Sequence, residues 1–177
     1  IAMLRYAGID ANPVLLSTRA NGIALFPNRT AFNYVIAAVE IEEGLILLDA
    51  TDRYSVPNVL PIRDLNWFGR LIRKDGTSTE VNLTPNNIST EINNLQVTLN
   101  NKGEISGKVR TQFNGHNALN FRQENINTNK ETYLEKLESD EGSIEISDYV
   151  RDNDLDLSKP IIETYSFKDT DAFEIIN

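Results

Sequence analysis

The chain has 177 residues, of which 40% are hydrophobic, and it contains no cysteine. Its formal net charge of -9 disfavours nucleic acid and anionic membrane surfaces as partners, because both are negatively charged. The absence of cysteine excludes a disulfide, a thiolate metal site and a cysteine nucleophile within this chain. No apolar run approaches the ~20 residues of a membrane-spanning helix, so we expect no membrane insertion by this chain.

The first residues predict the last turns of a helix. Residues 2–7 are mostly apolar, and Gly8 is a natural residue to follow a helix C-terminus. A helix that begins so close to its own end suggests that the chain is a fragment of a longer protein. A strand is predicted over residues 13–18, opened by a proline, whose missing N–H matters least at a strand end.

Two apolar segments predict neighbouring strands at the centre of the first part of the chain. They cover residues 31–39 and 45–51, and an acidic turn that ends on Gly44 joins them. The second segment is continuously apolar, which predicts burial on both faces, and it stops at Asp49. An aspartate at the end of a buried strand either takes part in chemistry or starts a turn.

Composition changes after Arg73, where Asn and Thr become frequent and apolar residues alternate with polar ones. We expect a bend at Asn93–Asn94, a hairpin turn at residues 100–103, and a helix whose capping box is Thr128 and Glu131. The predicted fold class is α+β, mostly β, with one part over residues 1–73 and an antiparallel β-rich part over residues 74–177 that carries one or two packed helices. The predicted strands are 79–83, 88–99, 105–113, 143–149, 160–167 and 172–176, and the predicted helices are 118–125 and 128–139.

Three segments in the first third of the chain carry a family resemblance. They are Leu4 to Leu16, Phe32-Asn33-Tyr34-Val35-Ile36 and Leu47-Leu48-Asp49-Ala50-Thr51. In this order and spacing they resemble the C-terminal half of the transglutaminase-like core, found in papain-like cysteine enzymes and their inactive relatives. That family places a cysteine on a helix upstream of the first segment, a histidine in a Phe-Asn-His-Val context and an aspartate in a Leu-Asp-Ala-Thr context.

The resemblance implies an incomplete catalytic triad. Asp49 matches the acid that orients the histidine, Tyr34 stands at the histidine position, and the cysteine position lies before Ile1. Tyrosine is a poor general base at neutral pH, because its unperturbed pKa is about 10. We therefore expect a non-catalytic structural or interaction fragment of a larger transglutaminase-like envelope protein. The alternative is part of a cysteine-dependent amidase, protease or acyl transferase whose nucleophile lies upstream of Ile1.

The rest of the chain resembles the β-rich domain of unknown function that follows a transglutaminase-like core in bacterial cell-envelope proteins. The segments that carry this likeness are 115–122, 155–160 and 172–177. It implies a periplasmic or cell-envelope location and no activity or cofactor. The implied partners are the rest of the parent polypeptide and another envelope protein, a peptide or a glycan.

One acidic segment has the ligand spacing of a calcium loop. Asp152, Asp154 and Asp156 alternate, and Glu163 stands where such loops place a bidentate glutamate. Leu157, however, occupies the position where the sharp turn of such a loop needs glycine. The other interpretation is a solvated acidic turn between strands, and no other metal site is predicted.

Overall fold

The computed structural model describes residues 1–26, 30–140, 142 and 144–170, and the chain divides into two compact units, Ile1–Ile88 and Ser89–Asn177. The fold is mostly β, with two antiparallel sheets and few helices, which confirms the predicted class at this level. The division falls after Ile88, beyond the predicted boundary after Arg73, because the strand over Ser78–Asn82 pairs with the strand before it. None of the described helices is long and apolar enough to cross a membrane.

The first unit contains a five-stranded sheet of strand order β3-β2-β1-β4-β5. The predicted hairpin is present: Ile41 pairs with Gly44, which adopts a φ of +138°. The predicted first helix is also present, and Gly8 follows it with a φ of +81°. The elements are α1 (Ala2–Tyr6), β1 (Ala11–Leu16), β2 (Tyr34–Ile41), β3 (Gly44–Leu48), β4 (Phe68–Ile72) and β5 (Ser78–Asn82), with short 3-10 turns at Arg19–Asn21 and Ile62–Asp64.

One face of this sheet forms the core of the first unit. Alternate residues of each strand point to this face, and Leu60 packs against it from the loop that follows β3. The predicted burial of β3 on both faces is only partial, since Leu45, Ile46, Leu47 and Leu48 are all half-buried. The buried members of the core are Val14, Leu16, Ile36, Ala38, Leu60, Leu71, Val81 and Leu83.

The second unit contains a four-stranded sheet of strand order β6-β7-β9-β8. The predicted bend at Asn93–Asn94 is wrong, because β6 pairs with β7 without interruption from Glu91 to Leu99. The elements are β6 (Glu91–Leu99), β7 (Ile105–Phe113), α2 (His116–Asn125), α3 (Lys130–Asp140), β8 (Glu145–Asp152) and β9 (Ile161–Asp169). The strand predicted over residues 172–176 lies outside the described residues.

An aromatic cluster joins the helices of the second unit to its sheet. Phe121 of α2 contacts Tyr133 of α3 with ring centroids 6.1 Å apart, and both belong to a core that includes Ile161. The predicted capping box at Thr128 and Glu131 is wrong: α3 begins after Asn129, whose side chain accepts a hydrogen bond of 2.8 Å from the Thr132 N–H. Asparagine caps a helix as well as threonine does, so residue type alone could not choose between the two positions.

Candidate functional site

Asp49 lies buried at the end of β3, with a relative exposure of 5%. The apolar strand stops here, and the carboxylate turns back on the residues that follow. The Thr51 N–H donates to Asp49 Oδ1 over 2.9 Å, and the Thr51 hydroxyl donates to the same oxygen over 2.8 Å. Asp49 therefore starts a turn, as one interpretation of the sequence proposed.

Tyr34 and Asp49, the two predicted triad positions, lie next to each other. Tyr34 is the first residue of β2, and its phenol donates to Asp49 Oδ2 over 3.2 Å. The phenol oxygen also contacts the Thr51 hydroxyl. The hairpin register brings these residues together, because β2 begins at the same end of the hairpin at which β3 stops.

Arg63 completes this cluster and was not predicted. It lies on the 3-10 turn after Pro61, and its Nη2 donates to Asp49 Oδ2 over 2.6 Å and to Thr51 Oγ1 over 2.7 Å. The guanidinium also lies over the Tyr34 ring, 5.6 Å from its centroid. A single arginine in an irregular loop has no periodicity, so nothing in the sequence marked it as a partner of Asp49.

The hydrogen bonds of this cluster hold Asp49 in its ionised form. Burial by itself raises the pKa of a carboxyl group, but the bonds from Thr51 and Arg63 outweigh it and keep the pKa of Asp49 below its usual value. The pKa of Arg63 is raised for the matching reason, since Tyr34 and Asp49 outweigh its partial burial. The cluster is therefore an anion and a cation that neutralise each other.

Asp64 is a second buried carboxyl group beside this pair. It is fully buried, and neither of its carboxyl oxygens has a hydrogen-bond partner among the described residues. Its nearest cationic group is Arg63 Nε, 3.7 Å from Oδ1. Burial, together with the charge of Asp49, raises the pKa of Asp64 to about 7. Asp64 consequently holds a proton in mildly acidic solution, where Asp49 does not.

This arrangement lacks the parts needed for thiol acyl transfer. No cysteine is present in the chain, and a tyrosine occupies the position where the family resemblance places the base. Asp49 has a lowered pKa and binds a guanidinium, so it is a weak proton acceptor. A groove of about 710 Å³ in the same unit is lined by residues that include Leu47, Leu65 and Val81, and Asp49 is not among them.

Comparison with known proteins finds no matching family model, no matching curated protein and no matching solved structure. The two resemblances described above therefore stay predictions from sequence motifs.

Three of the four predicted calcium ligands bind groups of the protein itself, and the fourth, Asp152, is an exposed residue at the end of β8. Asp154 accepts a hydrogen bond of 2.9 Å from Arg151, and Asp156 pairs with Lys159 at 2.8 Å. Glu163 is buried and accepts a hydrogen bond of 2.5 Å from the Tyr149 phenol. Among the residues that the structure describes, no group of three or more His, Asp or Glu side chains is placed to hold a metal ion.

A buried arginine takes the central position in this acidic loop. Arg122 of α2 is 3% exposed, and its guanidinium donates to backbone carbonyl oxygens of the loop at 3.0–3.1 Å. Carbonyl oxygens of this kind are also ligands for calcium, so an internal cation already uses them. Arg122 falls within the motif of residues 115–122, but the sequence did not show that it reaches the loop. The four carbonyls belong to Asn153, Asp154, Asp156 and Lys159.

Proposed function

We propose that this chain is a non-catalytic structural or interaction module of a larger transglutaminase-like envelope protein. The observation that supports this most is the ion pair between Arg63 and Asp49, with Nη2 and Oδ2 2.6 Å apart. In a working triad the carboxylate orients an imidazole, whose N–H it must accept. Here Thr51 and Arg63 already bind both carboxylate oxygens. The cell-envelope location in this proposal depends on the sequence resemblance alone.

The neighbouring tyrosine fits the same interpretation. A histidine at this position would supply a base that titrates near neutral pH, whereas the phenol of Tyr34 is a hydrogen-bond donor to Asp49. The alternative function, with a cysteine supplied from upstream, needs Asp49 to be free for an imidazole. A cluster of this composition instead suits a role in holding the end of the β2–β3 hairpin to the loop that contains Arg63.

The outer face of the first sheet, opposite its core, supports the interaction part of the proposal. Alternate residues on this face are apolar but only half-buried or exposed, and Val35, for example, is 48% exposed. An apolar sheet face that is only partly covered offers a surface on which other polypeptide can pack. We propose that it contacts the rest of the parent protein. The apolar residues on this face are Pro13, Leu15, Val35, Ala37, Val39, Ile46, Leu48, Phe68 and Ile72.

An activity assay tests the non-catalytic assignment. The purified chain and its Tyr34→His variant are expected to show no hydrolysis of a glutamine-containing peptide and no amine incorporation, because neither contains a thiol nucleophile. A papain-like cysteine enzyme assayed in parallel serves as the positive control. Turnover above background that Asp49→Asn abolishes would show that the cluster is catalytic and would overturn the proposal.

A further inference from the structure

The strand β6 forms one edge of the sheet in the second unit. It pairs with β7 along its whole length, from Glu91 opposite Phe113 to Leu99 opposite Ile105. Its other side faces no strand among the described residues, and all nine of its residues are exposed. An unpaired edge of this length presents a row of free N–H and C=O groups that can pair with another strand.

One face of this edge carries an apolar row, which we call the β6 stripe: Leu95, Val97 and Leu99. These side chains are 62%, 49% and 59% exposed. They continue an apolar surface on β7, where Val109 and Ile105 stand opposite Leu95 and Leu99. Gly107 lies between Ile105 and Val109 on β7, and the Phe167 ring packs against it. A Cβ on Gly107 would lie 2.7 Å from that ring. The β6 stripe is therefore the exposed edge of an apolar sheet face whose neighbouring residues on β7 are packed.

The opposite edge of the same sheet is built differently. Strand β8 has a register shift between Ser147 and Val150 and carries the acidic residues Asp148 and Asp152. Bulges and charges of this kind are the usual means by which proteins prevent an edge from pairing. Strand β6 has neither a bulge nor a proline, and Glu91 is its one ionisable residue. The contrast within one sheet indicates that β6 is left able to pair.

The best match for this edge in the described chain is a second copy of β6 itself. The other edges lack such a stripe: the apolar residues of β3 are half-buried, β5 carries a single apolar residue, and β8 is interrupted by its bulge, whereas β6 presents three exposed apolar side chains in alternate positions. An antiparallel pair centred on Val97 would align residues 95–99 of the two copies, would set Leu95 against the partner's Leu99, and would bring no two charges together. We propose that two copies of this chain associate through antiparallel pairing of their β6 strands. Such an interface is symmetric and joins the two four-stranded sheets into one.

A matched pair of lysine variants tests this association. In sedimentation velocity runs over a concentration series, the full chain is expected to show a monomer–dimer equilibrium. Val97→Lys would place two lysines at the centre of the interface and is expected to weaken dimerisation at least about tenfold. Val150→Lys is the control, because Val150 is 52% exposed on the opposite edge strand and its substitution should leave the dimer unchanged. Circular dichroism of both variants checks that they remain folded.

Cysteine crosslinking locates the interface, since the chain contains no cysteine of its own. Facing residues in an antiparallel pair have Cα atoms about 4.5–5.5 Å apart, which a disulfide can bridge. The Val97→Cys variant is therefore expected to form a disulfide-linked dimer on mild oxidation, and Val150→Cys is expected to stay monomeric under the same conditions. A chain that is monomeric at every concentration would overturn the proposal, as would equal weakening by the two lysine variants. A monomeric chain would also be the result if β6 instead pairs with a strand of another protein.

Discussion

Asp64 differs from Asp49 in how its charge is accommodated. Asp49 receives hydrogen bonds from Thr51 and Arg63, whereas the oxygens of Asp64 have no such partner among the described residues. A buried carboxyl group without donors is more stable in its neutral form, so the pKa of Asp64 rises to about 7 while that of Asp49 falls. The two neighbouring groups consequently contribute to stability in opposite pH ranges.

The pH dependence of unfolding should report this difference. Because its folded-state pKa is raised, Asp64 contributes stability that is fully present below about pH 4 and is lost as the pH rises through about 7. Asp49 has a lowered folded-state pKa, so the stability that it contributes is present at neutral pH and is lost only when the pH falls below the ordinary pKa of an aspartate. In Asp64→Asn the side chain cannot ionise, and we expect its free energy of unfolding, relative to the native chain, to increase by roughly 2 kcal/mol between about pH 5 and pH 8.

Urea unfolding at the two pH values measures this effect. Glu43→Gln, which removes an exposed carboxylate from the β2–β3 turn, is the control for the loss of one negative charge. An Asp64→Asn profile parallel to the native profile would show that Asp64 does not titrate in this range.

The sequence could predict part of this site. Tyr34 and Asp49 follow from motifs within a hairpin, where strand pairing fixes which residues become neighbours. Arg63 and Asp64 could not be predicted, because they approach Asp49 through an irregular loop whose path depends on the packing of Leu60 on the core. Hydrophobic periodicity reports which face a strand buries, and it carries no information on where a loop returns.

Among the elements, the helix α2 and the acidic loop before β9 are joined by Arg122. A charged group that is 3% exposed is stable only if it is hydrogen-bonded, and here loop carbonyls supply all of the acceptors that the structure shows. Desolvation lowers the pKa of Arg122, and the nearby Asp154 and Asp156 oppose that effect. The calcium-like spacing of the sequence thus corresponds to a loop arranged around a guanidinium.

Replacing Arg122 with lysine should show that the shape of the cation matters. The planar guanidinium bonds to four carbonyl oxygens, and a lysine ammonium cannot reach all of them. We expect Arg122→Lys to lower the free energy of unfolding of the second unit by about 2–3 kcal/mol. Arg110→Lys, the same change at an exposed position on β7, should alter it by less than about 0.5 kcal/mol. Equal effects in urea unfolding would contradict a structural role for Arg122.

Most elements could be predicted, and the errors have physical reasons. The hairpins were recognisable because segments of strand-forming residues flank turn residues such as Gly44 and Gly103. The bend at Asn93–Asn94 was predicted from two poor strand formers, but cross-strand pairing with β7 keeps this part of β6 extended. Tertiary pairing of this kind overrides local propensity, and a single segment does not reveal it.

At the scale of the whole molecule, the first unit ends at Ile88, so its core includes residues that lie beyond the predicted boundary after Arg73. The predicted boundary after Arg73 would remove β5, yet Val81 and Leu83 are buried members of the first core. Composition changes near Arg73 because β5 is an exposed edge strand with polar residues, although the fold of the first unit continues through it. A change of composition therefore marked an edge of the sheet and not the end of the unit.

Two truncated polypeptides should separate these boundaries. A polypeptide of residues 1–88 is expected to unfold cooperatively, whereas residues 1–73 should be less stable by several kcal/mol, because burial of a large aliphatic side chain contributes about 1.5–3 kcal/mol and Val81 and Leu83 are both lost. Thermal unfolding followed by circular dichroism makes the comparison. Equal midpoints for the two polypeptides would place the boundary near Arg73 after all.

The central claim is that Asp49 serves the structure of the first unit through its ion pair with Arg63. A double-mutant cycle of Asp49→Asn and Arg63→Met, measured by urea unfolding near pH 6, tests it most directly. We expect each single change to destabilise the chain and the coupling free energy to be about 1–2 kcal/mol, a moderate value because Arg63 is 41% exposed while Asp49 is buried. A catalytic carboxylate is commonly held at a cost in stability. A coupling near zero, with Asp49→Asn as stable as the native chain or more so, would contradict the claim.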